Sequence, residues 1–267
     1  MTPLDIPQLR WEDFLSDQHV AATYADLKRL TKRTVALHSA SLVPDVGHSF
    51  YCAWREAIHI FIDQSSPRRA QSFAHELLHG ILVEEGYSKV AARVPKDVQQ
   101  ILSNDLQHPE ILRRTEAYGL DMALEWRHWD SEFAAALEEM EFQVYLHAGM
   151  NQFPRVFTWF FFQPIAEPHL SAYRILMPKV YLAAEAAYNA TKDIGFGSSQ
   201  QQHLAVGIFR DHWSKYCDQH ESMSDFGREI ANNLRSSAIT PLLDFEKSRP
   251  AEDIMSLLET KGFRATR

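Results

Sequence analysis

The sequence contains only two cysteines, Cys52 and Cys217, in 267 residues. Two cysteines so far apart do not make the disulfide framework of a small secreted domain, and we expect both to be buried and reduced. The chain has no run of about 18 apolar residues, so the sequence predicts no transmembrane helix. Its first residues lack the basic region and the apolar core of a signal peptide. These absences predict a cytoplasmic protein without a membrane partner.

Positive charge is in the minority, with 27 Lys and Arg against 35 Asp and Glu and a net charge of −8. This balance argues against a nucleic-acid-binding surface as the main function. Apolar residues make up 45% and charged residues 23%, as is ordinary for a globular protein. The length fits one large domain or two small ones.

One stretch, His75-Glu76-Leu77-Leu78-His79, contains the pattern His-Glu-x-x-His. Residues four apart lie on the same face of a helix, so His75 and His79 can present two imidazoles to one zinc ion. Glu76 can reach a water held by the metal, whose pKa on zinc falls to about 7. The alternative is a chance match on a helix with two surface histidines. The apolar neighbours predict instead a buried helix, where these side chains need a partner such as a metal.

A catalytic zinc ion usually takes three protein ligands and keeps one open position. The metzincin extension HExxHxxGxxH fails here, because position 82 is Leu82 and position 85 is Glu85. We predict His108 as the third ligand, since neutral imidazole binds zinc well. Pro109 fixes the backbone at this point, so His108 is expected at a rigid helix junction.

Residues near His108 are candidates for three other roles: an alternative third ligand, a group that orients His108, and an oxyanion donor. Glu110 or Glu116 would replace His108 if a glutamate is the third ligand. Asn104 or Asp105 would orient His108 through a hydrogen bond. Tyr118 is a candidate donor to the oxyanion of a tetrahedral intermediate.

The patterning predicts an α+β fold that is predominantly helical, with a small twisted β-sheet packed on the HExxH helix and a helical C-terminal half. Thr34 to His38 reads as a strand, residues 49–63 as a β-hairpin, and residues 68–85 as the motif helix. Further helices are predicted over 8–32, 96–107, 110–146, 152–168, 171–190, 200–218, 222–236 and 250–261.

The segment from about residue 50 to 125 resembles the HExxH zinc metallopeptidases of the zincin class. The resemblance is carried by His75 to His79, by Asn104 to Pro109 and by Tyr118 to Asp121. It extends distantly to the bacterial ImmA/IrrE-type metallopeptidases, which are expected to use a later glutamate as the third ligand. The resemblance implies a small sheet against the ligand helix, with the edge of the 50–63 hairpin holding an extended peptide.

These observations predict a zinc-dependent hydrolase of peptide bonds that acts on a peptide or protein. Zn²⁺ would be held by His75, His79 and His108, and Glu76 would activate the water. Residues 1–150 would form the zincin-like metallopeptidase domain, and residues 151–267 a helical region with a lid, regulatory or interaction role. The alternative is a zinc-binding interaction or regulatory protein without peptidase activity.

Overall fold

The computed structural model describes residues 11–40, 49–54, 57–63, 69–90, 105–123, 126–127, 130–131, 134, 148–163, 165–221 and 225–242. Over these residues the protein is predominantly helical with a small sheet, which confirms the predicted fold class. No helix in these ranges is long and apolar enough to cross a membrane. The predicted helix over 250–261, and most of that over 96–107, lie outside the described residues.

The chain divides into two compact units. The first comprises Met1–Gly86, Arg113–Leu124 and Leu242–Arg267, and the second Tyr87–Leu112 and Glu125–Pro241. These units are defined by packing alone, and the predicted functional division at residue 150 stays a prediction.

A mixed three-stranded sheet forms the centre of the first unit. Its strands are β1 (Thr34–Ala40), β2 (Ser49–Trp54) and β3 (Ala57–Asp63), in the order β1-β3-β2. Strands β2 and β3 are antiparallel, which confirms the predicted hairpin, and β1 runs parallel to β3. The central strand β3 is apolar on both faces, because four of its side chains are buried: Ile58, Ile60, Phe61 and Ile62.

Two helices of the first unit pack against each other, α1 (Gln18–Leu30) and α2 (Arg69–Glu84). Helix α2 matches the predicted motif helix, and it also contacts β2 and β3. The predicted helix over 8–32 is wrong at its start, because Asp17 caps α1 by accepting hydrogen bonds from the amides of His19 and Val20. Trp11–Asp13 forms a separate 3-10 turn.

Helix α3 (His108–Ala117) is shared by the two units and ends in a Schellman motif. The amide of Leu120 donates to the carbonyl of Thr115 at 3.1 Å, and that of Gly119 to the carbonyl of Glu116 at 2.9 Å. Gly119 has a φ of +70°, which a residue with a Cβ rarely adopts. The predicted uninterrupted helix over 110–146 is therefore wrong at this point.

Five further helices have both ends within the described part of the second unit. They are α4 (Ala148–Trp159), α5 (Glu167–Leu176), α6 (Pro178–Thr191), α7 (Ser199–Tyr216) and α8 (Asp225–Ser236). The predicted helix over 171–190 is two helices, because Pro178 disfavours helical backbone at Met177 and then opens α6. A two-stranded antiparallel sheet, β4 (Ser88–Val90) with β5 (Ile239–Pro241), was not predicted.

Aromatic side chains form the core of the second unit. The ring of Phe153 on α4 stacks on that of Trp213 on α7, and Phe157 lies 4.7 Å from Phe209 between ring centroids. Phe153, Phe157 and Phe162 are completely buried. The aromatic-rich segment predicted to be a buried helix over 152–168 is therefore core, as expected, although it is divided between α4 and a 3-10 turn over Phe160–Phe162.

Candidate metal centre

Helix α2 presents His75 and His79 to the same side. Their ring centroids lie 5.0 Å apart, and the ring planes are inclined by 67°. The spacing of four residues advances the chain by slightly more than one helical turn, which places one imidazole above the other. His79 is 1% exposed and His75 is half-buried. The helix around them is buried on nearly all sides, as the apolar sequence predicts.

His108 is the first residue of α3 and directly follows a 3-10 turn over Asp105–Gln107. This position agrees with the predicted helix junction. Pro109 occupies the second helical position, where the missing amide proton costs no intrahelical hydrogen bond. The His108 side chain is 3% exposed, so it is held in the protein interior and does not extend into solvent.

The three histidines come together. Each offers one ring nitrogen, and these nitrogens all lie within 4.8 Å of one another. Three nitrogens at 2.0–2.1 Å from a tetrahedral zinc ion would be about 3.4 Å apart, so the three rings fit one ion after shifts on the order of an ångström. The sequence predicts these three residues as ligands, and the structure places one ring nitrogen of each close to the other two.

The two glutamates that remained open as ligands lie outside this group. Among the residues that the structure describes, the cluster of potential metal ligands contains histidine alone. Glu110 is buried and Glu116 is exposed. The geometry therefore favours His108 over either glutamate as the partner of the two histidines on α2.

Glu76 is 6% exposed and directly follows His75 in the motif. A carboxylate with so little contact with bulk water is oriented by protein groups. The carboxylate is not one of the clustered ligand groups, and the role of Glu76 as general base stays a prediction that its place beside His75 in the sequence supports.

The Tyr118 hydroxyl has a hydrogen-bond partner outside the histidine cluster. It donates a 2.5 Å hydrogen bond to Oδ2 of Asp26. Burial and this bond to Asp26 raise the pKa of the Tyr118 phenol above its ordinary value. The Tyr118 hydroxyl is thus engaged with Asp26, and the oxyanion role stays a prediction. Asn104 and the side chain of Asp105 lie outside the described residues.

Side-chain contacts at the far end of α3 were not predicted. Arg114 donates two hydrogen bonds to Glu85, with Nη1–Oε1 at 2.9 Å and Nη2–Oε2 at 2.6 Å. Nδ1 of His19 donates to the carbonyl oxygen of Tyr118 at 2.7 Å, beside the bond from Tyr118 to Asp26. We call these three interactions the α3 anchor. They join residues far apart in sequence, which hydrophobic periodicity does not reveal.

Comparison with protein-family models, curated proteins and solved structures finds no match to this chain. The resemblance to HExxH zinc metallopeptidases, and its distant extension to the ImmA/IrrE type, therefore stay predictions.

Proposed function

We propose that the protein is a zinc-dependent metallopeptidase whose metal ion is held by His75, His79 and His108. The observation that supports this most is the approach of the three imidazoles to within 4.8 Å, with Glu76 next to the first of them. Three neutral imidazoles are a donor set that suits zinc and leaves its fourth position open.

Zinc bound there would supply a Lewis acid that polarises a carbonyl group and lowers the pKa of a coordinated water to about 7. The protein's own groups account for the remaining requirements. The Glu76 carboxylate accepts the proton of the attacking water and delivers it to the nitrogen of the leaving amine. His75 is only half-buried, and the proposal requires a substrate carbonyl to approach the metal ion from its side of the cluster.

The substrate in this proposal is an extended peptide or a segment of a protein. Strand β2 is at one edge of the described sheet, because β3 pairs with its other side. An extended peptide can add to such an edge through main-chain hydrogen bonds. We retain the predicted cytoplasmic location, with neither nucleic acid nor membrane as a partner.

A zinc-stabilised interaction protein is the second candidate. The near-complete burial of His79 and His108 favours it, since structural zinc sites are closed. The two candidates differ in the role of Glu76, which is essential for hydrolysis and dispensable for a structural metal.

The variant Glu76→Gln separates these functions. Wild type, Glu76→Gln and the control Glu116→Gln are loaded with zinc and incubated with a peptide library, and cleavage is followed by mass spectrometry. We expect Glu76→Gln to bind one zinc ion per chain and to cleave at least about 100-fold more slowly. Glu116→Gln changes an exposed carboxylate outside the cluster and should match wild type.

Undiminished cleavage by Glu76→Gln would contradict the proposed mechanism. A zinc-loaded wild type that cleaves no peptide in the library would favour the interaction protein instead.

A further inference from the structure

We propose that the α3 anchor positions His108 for metal binding, with Arg114 as its main positioning residue. This inference rests on the proposed zinc site. Helix α2 carries His75 and His79, whereas α3 carries His108 at its first residue. The three ligands therefore meet only if α3 is held at one particular height and rotation relative to α2.

The Arg114–Glu85 pair joins these two helices directly. Glu85 follows the last residue of α2, and Arg114 lies six residues after His108. The guanidinium and the carboxylate form two parallel hydrogen bonds, at 2.9 and 2.6 Å. The two side chains are 13% and 30% exposed. A bidentate pair with limited solvent contact fixes direction as well as distance, unlike a single ion-pair contact.

The other two contacts of the anchor tie α3 to α1. Tyr118 donates to Asp26 at 2.5 Å, and His19 donates to the Tyr118 carbonyl at 2.7 Å. Helix α1 in turn packs on α2. Gly80 permits close approach there, since a Cβ at this position would lie 3.2 Å from Cδ2 of Leu27. The anchor thus connects the end of α3 to α2 by two routes.

A rigid helix transmits a displacement at one end to the other. Arg114 is about 9 Å from His108 along the helix axis, at 1.5 Å per residue. Metal–ligand distances tolerate deviations of about 0.2 Å, so a shift of the helix by an ångström weakens binding. Removal of a group that hydrogen-bonds directly to a metal ligand typically changes affinity 10- to 100-fold, so a contact that acts through the helix should have an effect near the lower end of that range.

The test measures zinc affinity and the absorption spectrum of the Co²⁺-substituted full-length protein. In Arg114→Met we expect the Kd for zinc to rise about tenfold or more, and the Co²⁺ d–d bands to shift. The direction of the change in zinc affinity distinguishes a geometric effect from an electrostatic one. Loss of a positive charge near the site would by itself strengthen the binding of a divalent cation, so weaker binding indicates altered geometry. Arg113→Met, the control, removes the same charge from the exposed neighbouring position and should not weaken binding.

A charge exchange provides the rescue. Arg114→Glu combined with Glu85→Arg restores an ion pair at the same place, so zinc affinity should return at least partly towards that of wild type. Should Arg114→Met not fold, Tyr118→Phe removes only one hydroxyl of the anchor, and we then expect a Kd raised a few-fold with a shifted Co²⁺ spectrum.

Unchanged affinity and an unchanged Co²⁺ spectrum in folded Arg114→Met would overturn the inference. So would equal weakening in Arg113→Met. Failure of the proposed function is distinguishable from failure of this inference. A wild type that binds zinc but cleaves no peptide would contradict the peptidase function. The affinity measurements would still decide whether the α3 anchor positions His108. A wild type that binds no zinc overturns both.

Discussion

The substitution Gly119→Ala tests the packing at the end of α3. An ideal Cβ at Gly119 would lie 3.0 Å from both Cε1 and Nδ1 of His19, and the φ of +70° is strained for alanine. Left-handed backbone costs an L-residue about 1–2 kcal/mol. The His19 ring must also give by a few tenths of an ångström, which disturbs a hydrogen bond to the Tyr118 carbonyl that is worth about 0.5–1.5 kcal/mol. We therefore expect the free energy of unfolding to fall by about 1.5–3.5 kcal/mol.

The matched control is Gly86→Ala, measured by urea denaturation beside Gly119→Ala. Gly86 has a similar φ of +83°, but no atom lies within 4 Å of its ideal Cβ. Alanine there should cost only the backbone strain. The difference between the two variants in lost free energy of unfolding measures the contact of the new Cβ with His19. This difference should become smaller in a His19→Ala background. Equal destabilisation by both substitutions in the wild-type background would refute the reasoning.

Three further predictions concern stability. Gln202→Leu should cost about 3 kcal/mol in urea denaturation, because the buried amide of Gln202 binds both the N–H and the carbonyl of Ser88, at 2.8 and 2.7 Å. Wild type should lose stability as pH rises above about 10, since the unfolded Tyr118 phenol ionises there while its raised folded-state pKa resists ionisation. Tyr118→Phe should show a smaller loss over that range, and an identical pH profile would contradict this assignment. Zinc at 1,000 times its Kd should stabilise the protein by about 4 kcal/mol, and a chelator should abolish this gain in a thermal melt.

Local patterns in the sequence predicted the elements that surround the motif. Alternating apolar residues on either side of a polar turn define the β2–β3 hairpin, and the continuous apolar surface of residues 68–85 defines α2. The pairing of His75 with His79 follows from helix geometry alone. His108 could be selected because an imidazole at a proline-marked junction combines a zinc ligand with a rigid backbone.

Helix ends were predicted less well, because single residues determine them. Asp17 starts α1 by capping its amides, Gly119 ends α3 by adopting a positive φ, and Pro178 separates α5 from α6. Each of these three residues is visible in the sequence. The apolar periodicity, however, continues past each of them without a break. Periodicity alone therefore merges neighbouring helices.

The α3 anchor shows what periodicity does not contain. Arg114 and Glu85 are 29 residues apart, and Tyr118 and Asp26 are 92 apart. Neither pair belongs to a repeating pattern, and each side chain has the character of an ordinary surface residue. Their pairing follows from the packing of α1, α2 and α3, which has to be known first.

The central claim is that three histidines bind one zinc ion and leave a position open. X-ray absorption spectroscopy at the zinc edge, on the full-length protein loaded with one equivalent of zinc, tests it most directly. We predict a first shell at about 2.0–2.1 Å with the multiple scattering of three imidazoles and one further oxygen. A spectrum that contains two imidazoles or fewer, or the scattering of a fourth protein ligand in a closed site, would contradict the claim.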